Sequence, residues 1–411
     1  MPGTYWTLLT ISRPNSSTVC ASVNTTTSYG PVTASTRTTP LILSIAAATS
    51  RAFPTSVWMR MYAWTTIRLL SAAAGDPNVK LQYGAARQRD ATTEKGAHHV
   101  SIAEAGEFGL IARIVARLEP GPATLLGPGD DAAVVAAPDG RIVASTDVLV
   151  EGRHFRRDWS SPADVGHRAA AANLADIAAM GADPTALLVA LCVPIDLDVA
   201  WIEELAGGLS AEAGLVGASV VGGDVSASPT LTVAVTALGD LQGREPVTRA
   251  GAQPGDVLAL AGRTGYAAAG YTVLSRGFRT PRVFVEAYRR PAVPYAAGLE
   301  AARLGATSMI DVSDGLLQDL GHVATASVVG IDVRSDAFEI PGQMRDAAIA
   351  LGVDPLLWVL AGGDDHALAA TFPPEVSLPE PWRAVGVVHE GSGITVDRKP
   401  WQGGMGWDHF R

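Results

Sequence analysis

Hydrophobic and polar positions follow regular periods only from about residue 100 onward. Residues 1–99 are rich in Ser and Thr, are interrupted by prolines, and sustain neither a helical nor a strand period. We predict that this stretch is a poorly ordered extension and that native translation begins near Val100. Its Ser-rich, acid-poor start also leaves an organelle transit peptide open.

The patterned region predicts a well-marked helix after Ser161. Ser161 and Asp164 match a capping box, Pro162 takes the first helical position, and Gly181 lies just beyond the end. Small and apolar residues dominate this helix, so Asp176 within it is costly unless it is paired. Asp176 is either a solvated acid or a ligand that reaches a cation. The neighbouring predicted elements are a helix over 107–118, a strand over 186–193, a helix over 198–215 and a strand over 230–238.

A short stretch before this helix predicts a β-hairpin. Apolar residues over 132–137 and 141–144 flank the turn residues of 138–140. A symmetric register would set Asp131 opposite Asp147, and two carboxylates about 4 Å apart repel by roughly 4 kcal/mol at an effective dielectric of about 20. Either one acid turns into solvent, or a divalent cation offsets the repulsion with oxygen ligands that include Ser145 and Thr146.

A linker rich in Gly and Pro over 244–255 divides the patterned region. We expect an N-terminal domain over 100–245 and a C-terminal domain over 246–411. The second half predicts strands over 256–261 and 367–372 and a helix that runs through 320–326. Strands and helices in both halves predict an α/β fold of the α+β type, with two domains of mixed sheet packed with helices.

Composition narrows the functional classes. The chain has 411 residues, 47% of them hydrophobic, and a formal charge of -10, which disfavours a nucleic-acid partner. Lysine occurs only three times, and no phosphate-binding loop of the G-x-x-x-x-G-K-[ST] type is present. The two cysteines form no spaced pair, and no apolar run is long enough to cross a bilayer. We expect a cytoplasmic enzyme without a membrane partner.

Acidic residues recur at the ends of predicted strands, which is the main chemical signal. Asp224 follows Gly222 and Gly223, and Asp311 ends an apolar strand just before Ser313 and Asp314. Ser and Asp at a helix start are often plain caps, but the free N–H groups there also favour a phosphate. A set of carboxylates with so few lysines suits Mg²⁺-assisted phosphoryl transfer, and Arg249 is a candidate phosphate contact.

The sequence from about Gly106 onward resembles the thiamine-monophosphate kinase family of the aminoimidazole-ribotide synthetase-like superfamily. The resemblance rests on an ordered set of motifs rather than on any single one. They are Gly-Glu-Phe-Gly at 106–109, Gly-Asp-Asp-Ala at 129–132, Ser-Thr-Asp at 145–147, Glu151-Gly152 with His154-Phe155, Asn173-Leu174-Ala175-Asp176, Gly222-Gly223-Asp224, Asp311-Val312-Ser313-Asp314-Gly315 and Trp407-Asp408-His409-Phe410.

The resemblance implies phosphorylation of thiamine monophosphate by ATP, several Mg²⁺ ions, and a homodimer that pairs through its N-terminal sheets. It implies these metal ligands: Asp131, Ser145, Thr146, Asp147, Asp176, Asp224, Asp311 and Asp314. It implies these ATP contacts: Gly223, Asp224, Arg249 and Ser313. It implies these thiamine monophosphate contacts: His154, Asp364 and Trp407.

One departure from the family pattern concerns Asp364. The family usually has Gly-Gly-Glu-Asp where this chain has Gly362-Gly363-Asp364-Asp365, so the acid is one methylene shorter. A bridging water could restore its substrate contact. The alternatives are another ATP-using enzyme of the superfamily, or a sensor that binds Mg²⁺ and ATP without turnover.

Overall fold

The computed structural model describes residues 6–12, 18–24, 100–129 and 132–407. The first two ranges are strands β1 (Trp6–Ser12) and β2 (Thr18–Asn24), which pair antiparallel with Trp6 opposite Asn24. The sequence pattern predicts neither strand. The remainder of residues 1–99 lies outside the described part of the chain, so the predicted lack of order there stays a prediction.

Residues 97–411 form one compact unit that contains two large sheets. The first sheet has the strand order β5-β8-β6-β7, with β6 and β7 parallel and the other neighbours antiparallel. Its strands are β5 (Val143–Val150), β6 (Asp183–Val193), β7 (Ser219–Ala227) and β8 (Thr232–Asp240). The helices of this half are α1 (Ile102–Val115), α2 (Pro162–Ala179) and α3 (Val199–Gly214).

Among residues 100–129 and 132–407, helices cover only one face of the first sheet. Helices α2 and α3 pack on it, and along β6 the alternate residues Leu187, Val189 and Leu191 are buried against them. Leu188 points to the other face and is 38% exposed, as expected for a strand whose side chains alternate between two faces. The uncovered face therefore presents apolar side chains to its surroundings.

The second sheet lies between residues 257 and 400 and has the order β10-β12-β9-β13-β11-β14-β15. All neighbours are antiparallel except β11 and β14. Its strands are β9 (Val257–Ala261), β10 (Ser308–Val312), β11 (Gly330–Val333), β12 (Ala367–Phe372), β13 (Arg383–His389), β14 (Gly393–Val396) and β15 (Lys399–Pro400). The helices are α4 (Tyr266–Ser275), α5 (Arg282–Arg289), α6 (Tyr295–Leu304), α7 (Leu316–Ser327), a 3-10 turn (Ser335–Ala337), α8 (Gly342–Leu351) and α9 (Pro355–Ala361).

The two halves meet where α2 packs on α6. Ala178 and Ala179 of α2 share a buried cluster with Ala297 and Ala301 of α6 and with residues of the second sheet. A Cβ at Gly298 would lie 2.1 Å from the Ala178 carbonyl oxygen, so only glycine permits this approach. The boundary predicted at residue 245 lies between the two sheets, and the division into two domains stays a prediction.

The predicted start of α2 is confirmed in detail. Ser161 accepts a hydrogen bond from the Asp164 backbone N–H, while the Asp164 carboxylate accepts one from the Ser161 N–H. Pro162 is the first helical residue, and Gly181 beyond the end has a φ of 69°. Local capping chemistry was therefore sufficient to define this helix.

The predicted hairpin over 132–144 is wrong. The turn at 138–140 is present, but the flanking residues pair with other partners. Strand β4 (Val134–Val135) pairs with β3 (Thr124–Leu126), whereas β5 pairs with β8, almost a hundred residues further on. Asp131 lies outside the described residues, so its relation to Asp147 stays a prediction.

One predicted helix start is confirmed and another is corrected. In α1, a helical turn begins at Ile102, where Ser101 and Glu104 form a capping box, and Gly106, whose φ of 67° is not helical, separates this turn from the helical segment that begins at Glu107 as predicted. That segment ends at Val115 rather than at Leu118. Helix α7 begins at Leu316, so Ser313 and Asp314 precede it rather than start it.

In the described residues, no helix has the length and apolar character needed to cross a membrane.

Candidate active site

A cavity of about 600 Å³ is lined by residues of both halves of the compact unit. Strand β5 and helix α2 supply one wall, and the segments after β10 and α9 supply the other. Ten of the residues singled out in the sequence line it: Ser145, Asp147, His154, Asp176, Arg249, Asp311, Ser313, Asp314, Asp364 and Trp407. Acids from both halves are therefore brought to one place, although Asp147 and Asp311 lie inside their strands rather than beyond the strand ends.

Strand β5 and helix α2 are joined by side chains that face each other. The Ser145 hydroxyl donates to Asp176 Oδ2 at 2.6 Å, and the Asp147 backbone N–H donates to Asn173 Oδ1 at 2.9 Å. Asn173 is buried, and its amide donates to the Ala169 carbonyl in the preceding turn. Asn173 and Asp176, three residues apart, thus share the helix face that contacts β5.

Thr146 lies on the opposite face of β5. Its hydroxyl donates to the Val235 carbonyl at 2.9 Å and accepts from the Thr236 hydroxyl at 3.1 Å. This follows from the alternation of side chains along a strand, since Ser145 and Asp147 both face the cavity. The Thr146 side chain is not among the residues that line the cavity, and its assignment as a ligand stays a prediction.

The second half contributes a buried Asp–His pair. Asp311 on β10 and His366, just before β12, are both buried, and His366 Nδ1 lies 3.1 Å from Asp311 Oδ2. Burial lowers the pKa of His366, but the hydrogen bond and the charge of Asp311 outweigh it, so the pKa is raised overall. The imidazole is therefore suited to stabilise an ionised Asp311.

The segment that follows Asp311 is held by Asp319 of α7. Asp319 Oδ2 accepts the backbone N–H groups of Asp314 and Gly315, both at 3.1 Å. Burial, followed by the charges of Asp311 and Asp314, raises the pKa of Asp319 to about 7. Asp319 thus satisfies N–H groups that would otherwise be free at the start of α7.

The acids of the two halves affect one another. The pKa of Asp176 is raised to about 7, first by burial and then by the charges of Asp311 and Asp147, against the lowering effect of the Ser145 hydrogen bond. Accumulated negative charge of this kind is stabilised by a bound cation. The oxygen donors are those that a hard divalent cation prefers.

The described residues do not by themselves form a closed metal cage. Within 100–129 and 132–407, no group of three or more His, Cys, Asp or Glu side chains is arranged to hold a metal ion. Mg²⁺ is commonly held by one or two carboxylates together with waters and substrate phosphate oxygens. The donor set therefore fits Mg²⁺ that is bound together with a polyphosphate.

Aromatic side chains also line the cavity. They are Tyr271, Tyr288, Trp358 and Trp407. The Trp407 backbone N–H donates to the Asp314 carbonyl at 2.8 Å, and its carbonyl accepts from the Gln318 amide at 2.7 Å. These backbone contacts fix the C-terminal segment beside the acids, and Asp408 to Arg411 lie outside the described residues.

His154 and Arg249 add basic groups to the cavity. His154 Nδ1 accepts the Val150 backbone N–H at 2.9 Å, so the neutral ring carries its proton on Nε2. Arg249 is exposed, and its carbonyl accepts from the Ser327 hydroxyl. Arg249 is therefore accessible to a bound anion.

Gly223 and Asp224 do not line the cavity in the described chain. They lie on β7, the edge strand of the first sheet, and both are exposed. Asp224 Oδ2 accepts a hydrogen bond from Ser226. Asp131, the remaining predicted ligand, is not described.

Sequence reasoning missed several cavity residues. Arg168 on α2 was not recognised, because a single Arg in a helix has no motif. His366 was not recognised either, although it follows Asp364 and Asp365 directly. The aromatic residues Tyr271 and Tyr288 lie in helices in which apolar spacing indicates only a core.

Two mixed sheets with helices and a shared acidic cavity define the class of protein. Residues 129–241 match the model of the AIR synthase related protein, N-terminal domain. A hydrogenase maturation protein, HypE of E. coli, has the same fold at 17% identity and a TM-score of 0.56, over 70% of this chain and 92% of its own.

The chain belongs to the thiamine-monophosphate kinase family. The thiamine-monophosphate kinase of Mycobacterium tuberculosis H37Rv is 48% identical over 315 residues, which cover 75% of this chain and 93% of that protein. A solved structure of AaThiL complexed with AMPPCP and TMP is 30% identical with a TM-score of 0.63, over 76% of this chain and all of that one.

Proposed function

We propose that this protein transfers a phosphoryl group from ATP to thiamine monophosphate and so forms thiamine diphosphate. The observation that carries the proposal is the convergence of Asp147 and Asp176 from one half with Asp311 and Asp314 from the other on one cavity. Phosphoryl transfer depends on positioning and charge neutralisation more than on covalent help from the protein. The names of the relatives and the ligands of the AaThiL structure support the same activity.

The residues proposed to hold Mg²⁺ are those that the family resemblance implies. Ser145, Asp147, Asp176, Asp311 and Asp314 line the cavity and offer the oxygen donors that Mg²⁺ prefers. The assignments of Asp131, Thr146 and Asp224 rest on the resemblance alone. When bound, Mg²⁺ would neutralise charge that develops on the phosphate oxygens.

ATP is proposed to bind with its phosphates beside the acids. Ser313 and Arg249 also line the cavity and can donate to phosphate oxygens. Gly223 and Asp224 lie on a strand edge, where free backbone groups can contact a nucleotide. A Cβ at Gly223 would lie 1.8 Å from the Val189 carbonyl oxygen, so the backbone there cannot carry a side chain without moving.

Thiamine monophosphate is proposed to bind against the aromatic residues of the cavity. Its pyrimidine ring can stack on aromatic faces, and its thiazolium cation is attracted by them. His154, Asp364 and Trp407 also line the cavity. Because the acceptor is itself a phosphate oxyanion, the reaction needs no strong general base, and none is assigned.

We further propose a homodimer formed through the uncovered face of the first sheet. Val148 and Leu188 are 46% and 38% exposed on that face. Exposed apolar side chains on an uncovered sheet favour a partner surface. The cytoplasm is the proposed location, because the substrates are soluble metabolites.

A coupled ADP-release assay tests the proposed function. ADP formation would be measured with thiamine monophosphate, with thiamine and without acceptor, each with and without Mg²⁺, while chromatography detects thiamine diphosphate. We expect release that requires both thiamine monophosphate and Mg²⁺. ADP release that thiamine monophosphate does not stimulate would overturn the kinase assignment.

A further inference from the structure

Arg168 is a buried arginine whose partners all come from the second half of the unit. It lies in the second turn of α2, and the whole residue is only 5% exposed. A guanidinium is costly to bury unless its donors are paired. Its Nη1 donates to the Tyr288 carbonyl at 2.6 Å, its Nη2 lies 2.7 Å from Asp364 Oδ2, and its plane lies over the Tyr288 ring at 4.7 Å.

Asp364 is fixed by its backbone as well as by this ion pair. Its backbone N–H donates to the Ser313 carbonyl at 2.8 Å, and its φ of 67° is unusual for a residue other than glycine. A Cβ at Gly363 would lie 2.1 Å from the same Ser313 oxygen, so the chain passes too close for any side chain. With the backbone fixed, only two side-chain torsions of Asp364 remain free.

Arg168 determines how those torsions are set. It engages Oδ2, while the Asp364 side chain remains 48% exposed on the cavity. Oδ1 is thus left as the acceptor that a ligand can reach. The pair is also neutral overall, so it favours a hydrogen-bond donor over a net positive charge.

We propose that Arg168 is a positioning residue that holds Asp364 so that its free carboxylate oxygen accepts a hydrogen bond from an amino group on the heteroaromatic ring of the substrate. This inference rests on the proposed function, since thiamine monophosphate carries such an amino group on its pyrimidine ring. The ring would lie against the aromatic side chains that also line the cavity, namely Trp358 and the pair Tyr271 and Tyr288, whose ring centroids are 6.2 Å apart. The ion pair would also compensate for the short side chain of Asp364 by fixing its direction.

The test compares two substrates. In oxythiamine monophosphate, a carbonyl oxygen replaces the amino group, so the carboxylate faces an acceptor instead of a donor. We expect the wild type to have a higher kcat/KM for thiamine monophosphate than for oxythiamine monophosphate. In Arg168→Met the ratio of these two kcat/KM values should be about tenfold smaller, which corresponds to the loss of roughly one charge-assisted hydrogen bond. The KM for thiamine monophosphate should rise in Arg168→Met, while the KM for ATP should stay unchanged. Arg168→Lys should retain part of the substrate preference that Arg168→Met loses.

Arg290→Met is a matched control. Arg290 also forms an ion pair with α2, through Asp164, but it does not line the cavity. This variant should lower the melting temperature and leave the substrate preference unchanged. The double variant Arg168→Met/Asp364→Asn should be no less selective than Asp364→Asn alone, because both changes remove the same contact.

The outcomes separate this inference from the proposed function. A wild type without ADP release dependent on thiamine monophosphate would overturn the proposed function. Normal turnover together with an unchanged preference in Arg168→Met would overturn the role of Arg168 only. If Arg168→Met fails to fold, kcat/KM for the two substrates is compared in Arg168→Lys and in Asp364→Asn instead.

Discussion

Replacing Asp176 by Asn should stabilise the metal-free protein above pH 7 while it removes activity. The pKa of Asp176 rises from 3.8 to about 7, mainly because the side chain is buried and then because Asp311 and Asp147 lie nearby. The folded state therefore binds this proton more tightly than the unfolded state. The resulting loss of stability is absent below pH 3.8, grows up to about pH 7 and is complete above that.

The magnitude follows from the size of the shift. At about 1.4 kcal/mol per pKa unit, ionisation of Asp176 lowers the free energy of unfolding of the metal-free protein by up to about 4 kcal/mol. Asn keeps an oxygen that accepts from Ser145, but its amino group must find a new partner. We therefore expect a gain of about 2 kcal/mol, or about 4 °C in melting temperature for a unit of this size.

Thermal unfolding with EDTA at pH 5 and pH 8 measures the effect. The gain should be larger at pH 8, because at pH 5 most of the folded wild type still carries the proton. Asp164→Asn on the same helix is a control of opposite sign. Burial alone would raise the pKa of Asp164, but hydrogen bonds with Ser161 and Arg290 lower it overall. The ionised Asp164 therefore stabilises the folded protein at pH 8, and Asp164→Asn should lower its stability there. An Asp176→Asn protein no more stable than wild type at pH 8 would refute the reasoning.

Two further substitutions test the proposed metal site and the proposed acceptor site. Asp147→Asn should lower kcat at least about 100-fold in the ADP-release assay, because a proposed ligand for Mg²⁺ is lost, and should leave the fold intact. Near-normal activity would remove Asp147 from the proposed metal site. Trp407→Ala should raise the KM for thiamine monophosphate about tenfold, the value of one stacking contact, since Asp314 and Gln318 hold the backbone of this segment in place. An equal rise in the KM for ATP would contradict that assignment.

Local sequence signals predicted the elements that depend on local contacts. The capping box of Ser161 and Asp164 gave the start of α2, and the apolar run over 367–372 gave β12 with its observed bounds. The hairpin failed for the opposite reason. Its turn is local and correct, but the partner of β5 is β8, and a strand's own sequence carries little information about which distant strand it pairs with.

The residues of the candidate site also divide into those that local sequence predicts and those that depend on tertiary contacts. Two of the acids were predictable, because Asp147 and Asp311 each belong to a recognisable sequence pattern. Arg168 was not, because its role depends on contacts with Tyr288 and Asp364, which folding brings to α2 from far along the chain. Side chains that act through tertiary contacts leave no periodic or motif signal.

Residues 364–366 link the proposed acceptor contact to the proposed metal site. Asp364 is paired with Arg168, Asp365 Oδ1 accepts the backbone N–H of Ala267 at the start of α4, and His366 contacts Asp311. Three consecutive side chains thus bind three different elements, and His366 reaches one of the acids proposed to hold Mg²⁺. Because the protein itself makes all three contacts, this segment sets the position of Asp364 relative to Asp311.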